Sequence, residues 1–135
     1  MKTKTLNKIL LLFSSIILFL IALSFGANPL ELTTKIYQVD VSTINAVHTF
    51  RSVMGLIFGL VAFWLFGAFN DKYALPALYS LLFAMLGLVT GRTISFLFDD
   101  GQPLLIFTIY VLAEFSTGIT TALLIRKNHK ELEKE

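Results

Sequence analysis

Three charged residues, Arg51, Arg92 and Glu114, lie inside long apolar stretches of this chain. A guanidinium and a carboxylate can form a charge-assisted, bidentate pair, and a buried carboxyl group can also act as a general acid or base. One such charge near the centre of a membrane-spanning helix costs roughly 2.5 to 3.5 kcal/mol on insertion scales. Charges at such positions pair inside a bundle or line a polar cavity, so the sequence predicts a polar site within a membrane protein.

Further polar and small residues share a helical spacing with these charges. The segment that contains Arg51 carries one stripe of such residues, with spacing i, i+3, i+4, i+7 and i+11. Its members are His48, Arg51, Ser52, Gly55 and Gly59. This spacing predicts a helix face that contacts protein. A second stripe with similar spacing consists of Tyr110, Glu114, Thr117, Gly118 and Thr121. The candidates for a ligand site or a buried ion pair are His48, Arg51, Arg92, Asp99, Asp100, Tyr110 and Glu114.

Three roles are open for this charged cluster. The first role is structural. Either arginine can reach Glu114, and the resulting ion pair can fix the register of the helices. The second role is a binding site for a ligand or a lipid headgroup. Two arginines and one carboxylate leave one unpaired positive charge, which a loop aspartate, an anionic ligand or a headgroup can neutralise. The third role is the movement of protons or ions through Glu114 and His48.

Four apolar runs must position these residues. The 135-residue chain is 56% hydrophobic and 15% charged, whereas soluble domains are about 25% charged. Each run can cross about 30 Å of hydrocarbon at 1.5 Å per residue, and the short later connectors make neighbouring helices antiparallel. We therefore expect an all-α integral membrane four-helix bundle forming one domain, 1–135, with spans at 9–27, 46–69, 73–98 and 104–125.

The first run has a second interpretation, because a basic start before an apolar segment is also typical of a secretory signal, here with cleavage after Gly26. Its apolar core is closer to the roughly 20 residues of a transmembrane helix than to the 7 to 15 of a signal, so we expect a retained helix. The connector from Asn28 to Thr43 alternates apolar and polar residues at 36–41. That alternation fits either a short strand or an interfacial loop over the outer mouth of the bundle.

Glycines form two GxxxG patterns, which allow membrane helices to approach closely. The helix-packing candidates are Gly55, Gly59, Gly87, Gly91 and Gly118. We expect most of these contacts within one chain, and a homo-oligomer face is the alternative.

Basic residues predict the orientation. One side of the bundle carries Lys2, Lys4, Lys8, Lys72, Arg126, Lys127, Lys130 and Lys134. The other side holds Lys35 together with four acidic residues. Because Lys and Arg are retained on the cytoplasmic side, both termini are expected in the cytoplasm of a multi-pass protein of the cell membrane. The lipid bilayer is then the expected partner, and nucleic acid is not, since the basic residues flank apolar segments.

Short motifs occur in a definite order after the first run. An Arg followed by Gly opens the second helix, Gly and Arg lie near the end of the third, an Asp-Gly-x-Pro turn follows, and a Glu lies within the last. The residues that form these motifs are Arg51, Gly55, Gly91, Arg92, Asp100, Gly101, Pro103 and Glu114. In these motifs, between about His48 and Ile125, the chain resembles the small bacterial four-helix membrane proteins called domain of unknown function 4345. The resemblance implies the same bundle and charged residues, and that family has no assigned activity.

The predicted function is that of a small, non-enzymatic membrane protein. No motif for a metal, a catalytic triad or a nucleotide is present in the sequence, and no cofactor is expected. We expect a polar pocket in the outer half that binds an amphipathic or anionic molecule, or that assists a membrane partner. A small transporter or proton-coupled carrier is the alternative. A lipid-modifying enzyme with Glu114 and His48 as acid and base is the third option.

Overall fold

Four long helices form the protein, as the apolar runs predict. The computed structural model describes residues 2–133, so Met1, Lys134 and Glu135 of the predicted domain 1–135 lie outside the described residues. The helices are α1 (Lys2–Gly26), α2 (Thr34–Tyr37), α3 (Ile44–Phe69), α4 (Asp71–Phe98) and α5 (Leu105–Leu132), and a π-helical turn (Pro29–Thr33) precedes α2. Apart from the single-turn α2, each helix is long and apolar enough to cross a membrane, which confirms the all-α membrane fold.

Two of the long helices extend well beyond their apolar runs. Helix α1 begins at Lys2 instead of residue 9, and α5 continues to Leu132 instead of residue 125. These added turns carry polar residues that hydrogen-bond between the two helices. Asn70 alone separates α3 from α4, and its side-chain oxygen accepts a hydrogen bond from the backbone N–H of Lys72 at 3.2 Å. This cap satisfies one backbone N–H that has no partner within the helix. The one-residue connector makes α3 and α4 antiparallel neighbours.

The bundle has two ends, which we name by the chain segments they hold. The termini end holds the first turns of α1, Asn70 and the last turns of α5, and the loop end holds residues 28–43 and 99–104. At the loop end Gly101 has φ 110°, a left-handed conformation that glycine adopts without strain, as the Asp-Gly turn predicts. Helix α1 packs against α3, α3 against α4, and α4 against α5, while α1 also touches α4 and α5.

Apolar packing concentrates in the half of the bundle near the termini end. The buried residues of this apolar cluster are Leu11, Val61, Trp64, Ala68, Ala77, Leu78, Leu81, Met85 and Ile125. Trp64 is fully buried, and its indole N–H donates to the Ser80 hydroxyl at 3.3 Å, so the one polar atom of its ring is satisfied.

The long connector covers the loop end of the bundle. Its buried residues recur every fourth position at Pro29, Thr33, Tyr37 and Val41. The Thr33 hydroxyl donates to the carbonyl of Phe25 at 2.8 Å, which ties the connector to the end of α1. The strand interpretation of residues 36–41 is wrong, since a helical turn runs through Tyr37 and ends at left-handed Gln38 (φ 55°). A lone strand would leave its backbone groups unpaired, whereas a helical turn pairs them locally.

The GxxxG glycines do not pack within the chain. A Cβ placed on Gly55, Gly59, Gly87 or Gly91 meets no atom of the described residues within 4 Å, so the prediction that these four glycines pack within one chain is wrong. For α3 the reason is rotational: Gly59 lies about 200° around the helix from buried Val61, on the outside of the bundle. The predicted protein-facing stripe from His48 to Gly59 is likewise exposed in this chain.

Close helix contact instead involves glycines outside the GxxxG patterns. A Cβ on Gly67 would lie 2.4 Å from the Cβ of Ala77, and one on Gly26 would lie 2.4 Å from the Cβ of Met54. A Cβ on Gly118 would lie 3.7 Å from the Cβ of Met85, an ordinary van der Waals distance, so Gly118 is not a point of close helix approach. The α1/α3 and α3/α4 contacts therefore each depend on one glycine without neighbours at GxxxG spacing.

Candidate functional site

Arg92 and Glu114 form an ion pair between α4 and α5. The Nε of Arg92 donates to both carboxylate oxygens of Glu114, at 3.2 Å to Oε1 and 3.0 Å to Oε2. The side chains are 21% and 11% exposed, so the pair is largely enclosed. Antiparallel α4 and α5 bring the two residues to the same height in the loop-end half, and charges at this depth are stabilised by pairing.

The guanidinium of Arg92 also lies beside two aromatic rings. Its Cζ is 5.5 Å from the ring centroid of Phe107 and 5.4 Å from that of Tyr110, within the range of cation–π attraction. Among the described residues, the Nη atoms of Arg92 have no hydrogen-bond acceptor, because Glu114 contacts Nε alone. The site therefore contains N–H donors that no side chain of the described segment uses.

A chain of hydroxyls continues from Tyr110 to the connector. The Tyr110 hydroxyl lies 3.2 Å from that of Tyr37, which in turn lies 2.6 Å from the Ser24 hydroxyl on α1. The Tyr37 ring stacks on Phe25 with centroids 4.6 Å apart, and it lies 5.8 Å from Phe107. Tyr37 of the connector thus links α1 to α5 on the loop-end side of the ion pair.

An apolar groove runs along α4 and α5 from Glu114 toward the termini end. It has a volume of about 270 Å³. Its lining residues are Leu82, Met85, Leu86, Val89, Glu114, Phe115, Gly118, Ile119 and Ala122. Glu114 is the one charged residue of this lining, so the groove is an apolar slot with a paired carboxylate at one end.

The other predicted site residues do not join this pair. Arg51 and His48 are exposed on α3, and neither forms a hydrogen bond or ion pair with any residue of the described segment. Helix α3 packs mainly against α1 and α4, whereas α5 packs mainly against α4, which explains why Arg92 reaches Glu114 and Arg51 does not. The side chains of Asp99 and Asp100 are exposed in the loop and, within residues 2–133, have no ionic partner.

Several polar contacts near the termini end were not predicted. Asn7 and Asn128 exchange two amide hydrogen bonds of 2.9 and 3.1 Å, and the Thr3 hydroxyl donates to Glu131. Buried Ser14 and Ser15 lie deeper on α1. The spacing of these residues in the sequence could have predicted a shared polar face. Asn7 and Ser14 are seven residues apart, and so are Glu114 and Thr121, and Thr121 and Asn128. Two helical turns separate such residues, so each set shares one face.

A second cavity lies at the termini end. It measures about 270 Å³ and is lined by residues that include Lys4, Lys8, Asp71, Asn128 and Glu131. Lys4 pairs with Asp71 at 2.8 Å, and both side chains are well exposed. Two basic and two acidic residues balance in charge, so this cavity does not select an anion. Within residues 2–133, no group of three His, Asp or Glu side chains could hold a metal ion.

The fold and site define an all-α, multi-pass membrane protein with a paired charge inside its bundle. The chain belongs to the family described as a domain of unknown function, DUF4345, whose pattern matches residues 6–125. This match confirms the resemblance of the motifs and covers both partners of the Arg92–Glu114 pair. The chain has no significant match among the curated proteins or the solved structures.

Proposed function

We propose that this protein binds an amphipathic molecule with an anionic headgroup in the loop-end half of its bundle. The observation that carries the proposal is the arginine of the ion pair: Glu114 contacts only Nε of Arg92, and the Nη donors have no acceptor in the described segment. The two Nη groups of an arginine match two oxygens of a phosphate or carboxylate. Such a headgroup is the ligand that these donors favour.

The apolar groove supports the amphipathic part of the proposal. It starts at Glu114 and continues past Gly118 to Ala122, so a hydrocarbon tail would lie below a headgroup held at Arg92. Lipid tails are as apolar as the groove, so the tail gains van der Waals contact there and little hydrophobic driving force. Selectivity must then come from the headgroup and the arginine.

The charge distribution supports an orientation for this site. Lysines and arginines concentrate at the termini end, so we propose that this end faces the cytoplasm. The Arg92 site would then lie in the outer half of the bacterial inner membrane, within reach of lipids or amphipathic molecules of the outer leaflet.

Native mass spectrometry tests the proposal with two lipids that differ in headgroup charge. The purified protein is titrated with phosphatidylglycerol and with phosphatidylcholine, and we expect preferential retention of the anionic lipid. Arg92→Lys keeps a charge for Glu114 but removes the planar fork, so it should lower phosphatidylglycerol retention by roughly tenfold, equivalent to about 1.4 kcal/mol. Arg51→Lys is the matched control and should retain the lipid. Equal retention of both lipids, or no effect of Arg92→Lys, contradicts the proposal.

A small transporter or proton-coupled carrier is the second candidate. It is favoured by the position of Glu114 on the same α5 face as Thr121 and Asn128, all of which are at least half-buried. A lipid-modifying enzyme has less support, because no hydrogen bond or ion pair of the described segment joins His48 to Glu114. Solute or proton flux into proteoliposomes separates a carrier from a binding protein.

A further inference from the structure

Buried polar residues form a row between α1 and α5 that the Arg92–Glu114 pair does not use. The reciprocal amide bonds of Asn7 and Asn128 set the register of these antiparallel helices at the termini end. Ser14 follows Asn7 by two helical turns, and Thr121 precedes Asn128 by two turns. Both therefore lie about 10 Å closer to the loop end, at one height in the bundle.

Two of the three hydroxyls at this height lack partners. Ser14 and Ser15 are 4% and 1% exposed, and neither hydroxyl has a hydrogen bond with any of residues 2–133. Thr121 is fully buried and donates to the Thr117 carbonyl at 2.7 Å, which leaves its oxygen able to accept. Buried polar groups in proteins are paired with protein atoms or ordered water, so the two serines indicate water at this position.

The row continues on both sides of these hydroxyls. Toward the loop end, Thr117 lies one turn from Thr121, and Glu114 lies one turn further on the same face of α5. Toward the termini end, a single apolar layer of Leu11 (0% exposed) and Ile125 (6% exposed) separates the serines from the asparagine pair. The groups near Glu114 that carry charge or titrate are Arg92 on α4, Tyr110 on α5 and Tyr37 of the connector.

We infer that this row is a path that gives the Glu114 carboxylate proton access to the termini end of the bundle when water enters the Leu11–Ile125 layer. Each hydroxyl or water accepts one proton and releases another, so a proton passes between the Glu114 carboxylate and water in the termini-end cavity beside Asn7 and Asn128, with no net change in the path. Leu11 and Ile125 close the path in this structure, since an apolar layer excludes water. This inference is independent of the proposed lipid ligand.

Proton flux into liposomes tests the path. The full-length protein is reconstituted with pyranine trapped inside, a potassium diffusion potential is applied with valinomycin, and the initial rate of internal pH change is measured. Leu11→Ser opens the apolar layer and should raise the rate at least about tenfold over the native protein. Adding Ser14→Ala, Ser15→Ala and Thr121→Val, or Glu114→Gln alone, should return the rate to the native level.

Leu20→Ser is the matched control, because Leu20 lies on the same helix but is 59% exposed on the outside of the bundle. Its rate should stay at the native level. The inference is overturned if Leu11→Ser and Leu20→Ser raise the rate equally, if Leu11→Ser raises nothing, or if its leak persists without the hydroxyls and Glu114. Should Leu11→Ser not fold, Ile125→Thr opens the same layer with little change in volume, and the same outcomes decide.

Discussion

The two arginines of the membrane segments differ in their surroundings, although both lie a few turns from the loop end. Arg92 donates to both oxygens of Glu114 and lies beside Phe107 and Tyr110. Arg51 is exposed on α3 and has no ionic partner in the described segment. A long arginine near a helix end can extend its head to the interface, so Arg51 needs no partner inside the bundle.

Breaking the ion pair should destabilise the protein. Glu114→Gln leaves the Arg92 charge enclosed without a counter-ion, so we expect a loss of roughly 3 to 5 kcal/mol in unfolding free energy. The double change with Arg92→Gln should recover much of this loss, because no uncompensated charge remains. Reversible unfolding in mixed detergent micelles measures both values, and the double-mutant cycle gives the coupling.

Arg51→Gln provides the control for this cycle. It should change stability by less than about 0.5 kcal/mol and show no coupling to Glu114→Gln, as expected for sites without shared partners. Coupling of Glu114 to Arg51 in place of Arg92 would contradict the observed pairing. A stability unaffected by Glu114→Gln would mean that the pair does not lock the helices.

The hydroxyl of Tyr37 should stabilise the loop end. Tyr37→Phe keeps the stacked ring on Phe25 but removes the hydrogen bonds to Ser24 and Tyr110, so we expect a loss of about 0.5 to 1.5 kcal/mol. Tyr73→Phe is the matched control, since the Tyr73 hydroxyl has no hydrogen bond within the described part of the chain. Thermal unfolding of the two variants in detergent compares them, and equal effects would show that the hydroxyl chain contributes nothing.

At the scale of helices, packing separates two kinds of glycine. Gly26 and Gly67 lie where α3 approaches α1 and α4, and each would bring a new Cβ to 2.4 Å from a neighbouring Cβ. The glycines of both GxxxG patterns have open space around them. The alternative use of that space, contact with a second copy of the chain, stays a prediction.

Gly67→Ala and Gly59→Ala should have opposite effects on stability. At Gly67 the added methyl would overlap the Cβ of Ala77 and lie 3.0 Å from the Tyr73 carbonyl, so we expect a loss of about 1 to 3 kcal/mol. At Gly59 nothing opposes the methyl, and alanine should add roughly 0.5 to 1 kcal/mol through its helix preference. Unfolding in detergent measures both. A loss at Gly59 that appears only in an oligomeric fraction would favour the homo-oligomer face.

At the scale of the whole molecule, the two halves of the bundle are stabilised differently. The apolar cluster around Trp64 fills the half near the termini end, whereas the loop-end half contains the ion pair, the hydroxyl chain and the connector. Each polar contact inside a membrane has a defined geometry but contributes only modestly to the stability of the bundle. We therefore expect the loop-end half to open more readily than the half near the termini end.

Topology follows from the charge asymmetry between the two ends. A reporter fused after Glu135 should be cytoplasmic, and one inserted beside Lys35 should be external, because Lys and Arg concentrate at the termini end. Reporters active on only one side of the membrane measure this. An external C-terminus would contradict the orientation, and a mature chain that starts near Ala27 would show that α1 is a cleaved signal.

The sequence by itself determined the class of protein, the number of membrane spans and the two charged residues of the site, Arg92 and Glu114. Helical spans are detected from sequence because a bilayer requires about 20 apolar residues with internally paired backbone, which is a local property. Arg92 and Glu114 stood out for a related reason, since any charge within such a run is costly wherever the helices pack. The turn at Gly101 was also local, because positive φ depends on one residue.

Only the tertiary structure decided which residues meet. Rotation of each helix about its axis turned Gly55 and Gly59 outward and Gly67 inward, and a glycine pattern in sequence carries no information about that rotation. Arg92 pairs with Glu114 in place of Arg51 because α5 packs mainly against α4. Tyr37 became a site residue because the connector turned back over the bundle, and the register of α1 against α5 brought Ser14 to the height of Thr121. Each of these contacts joins residues far apart in the chain, so side-chain spacing within one segment could not reveal them.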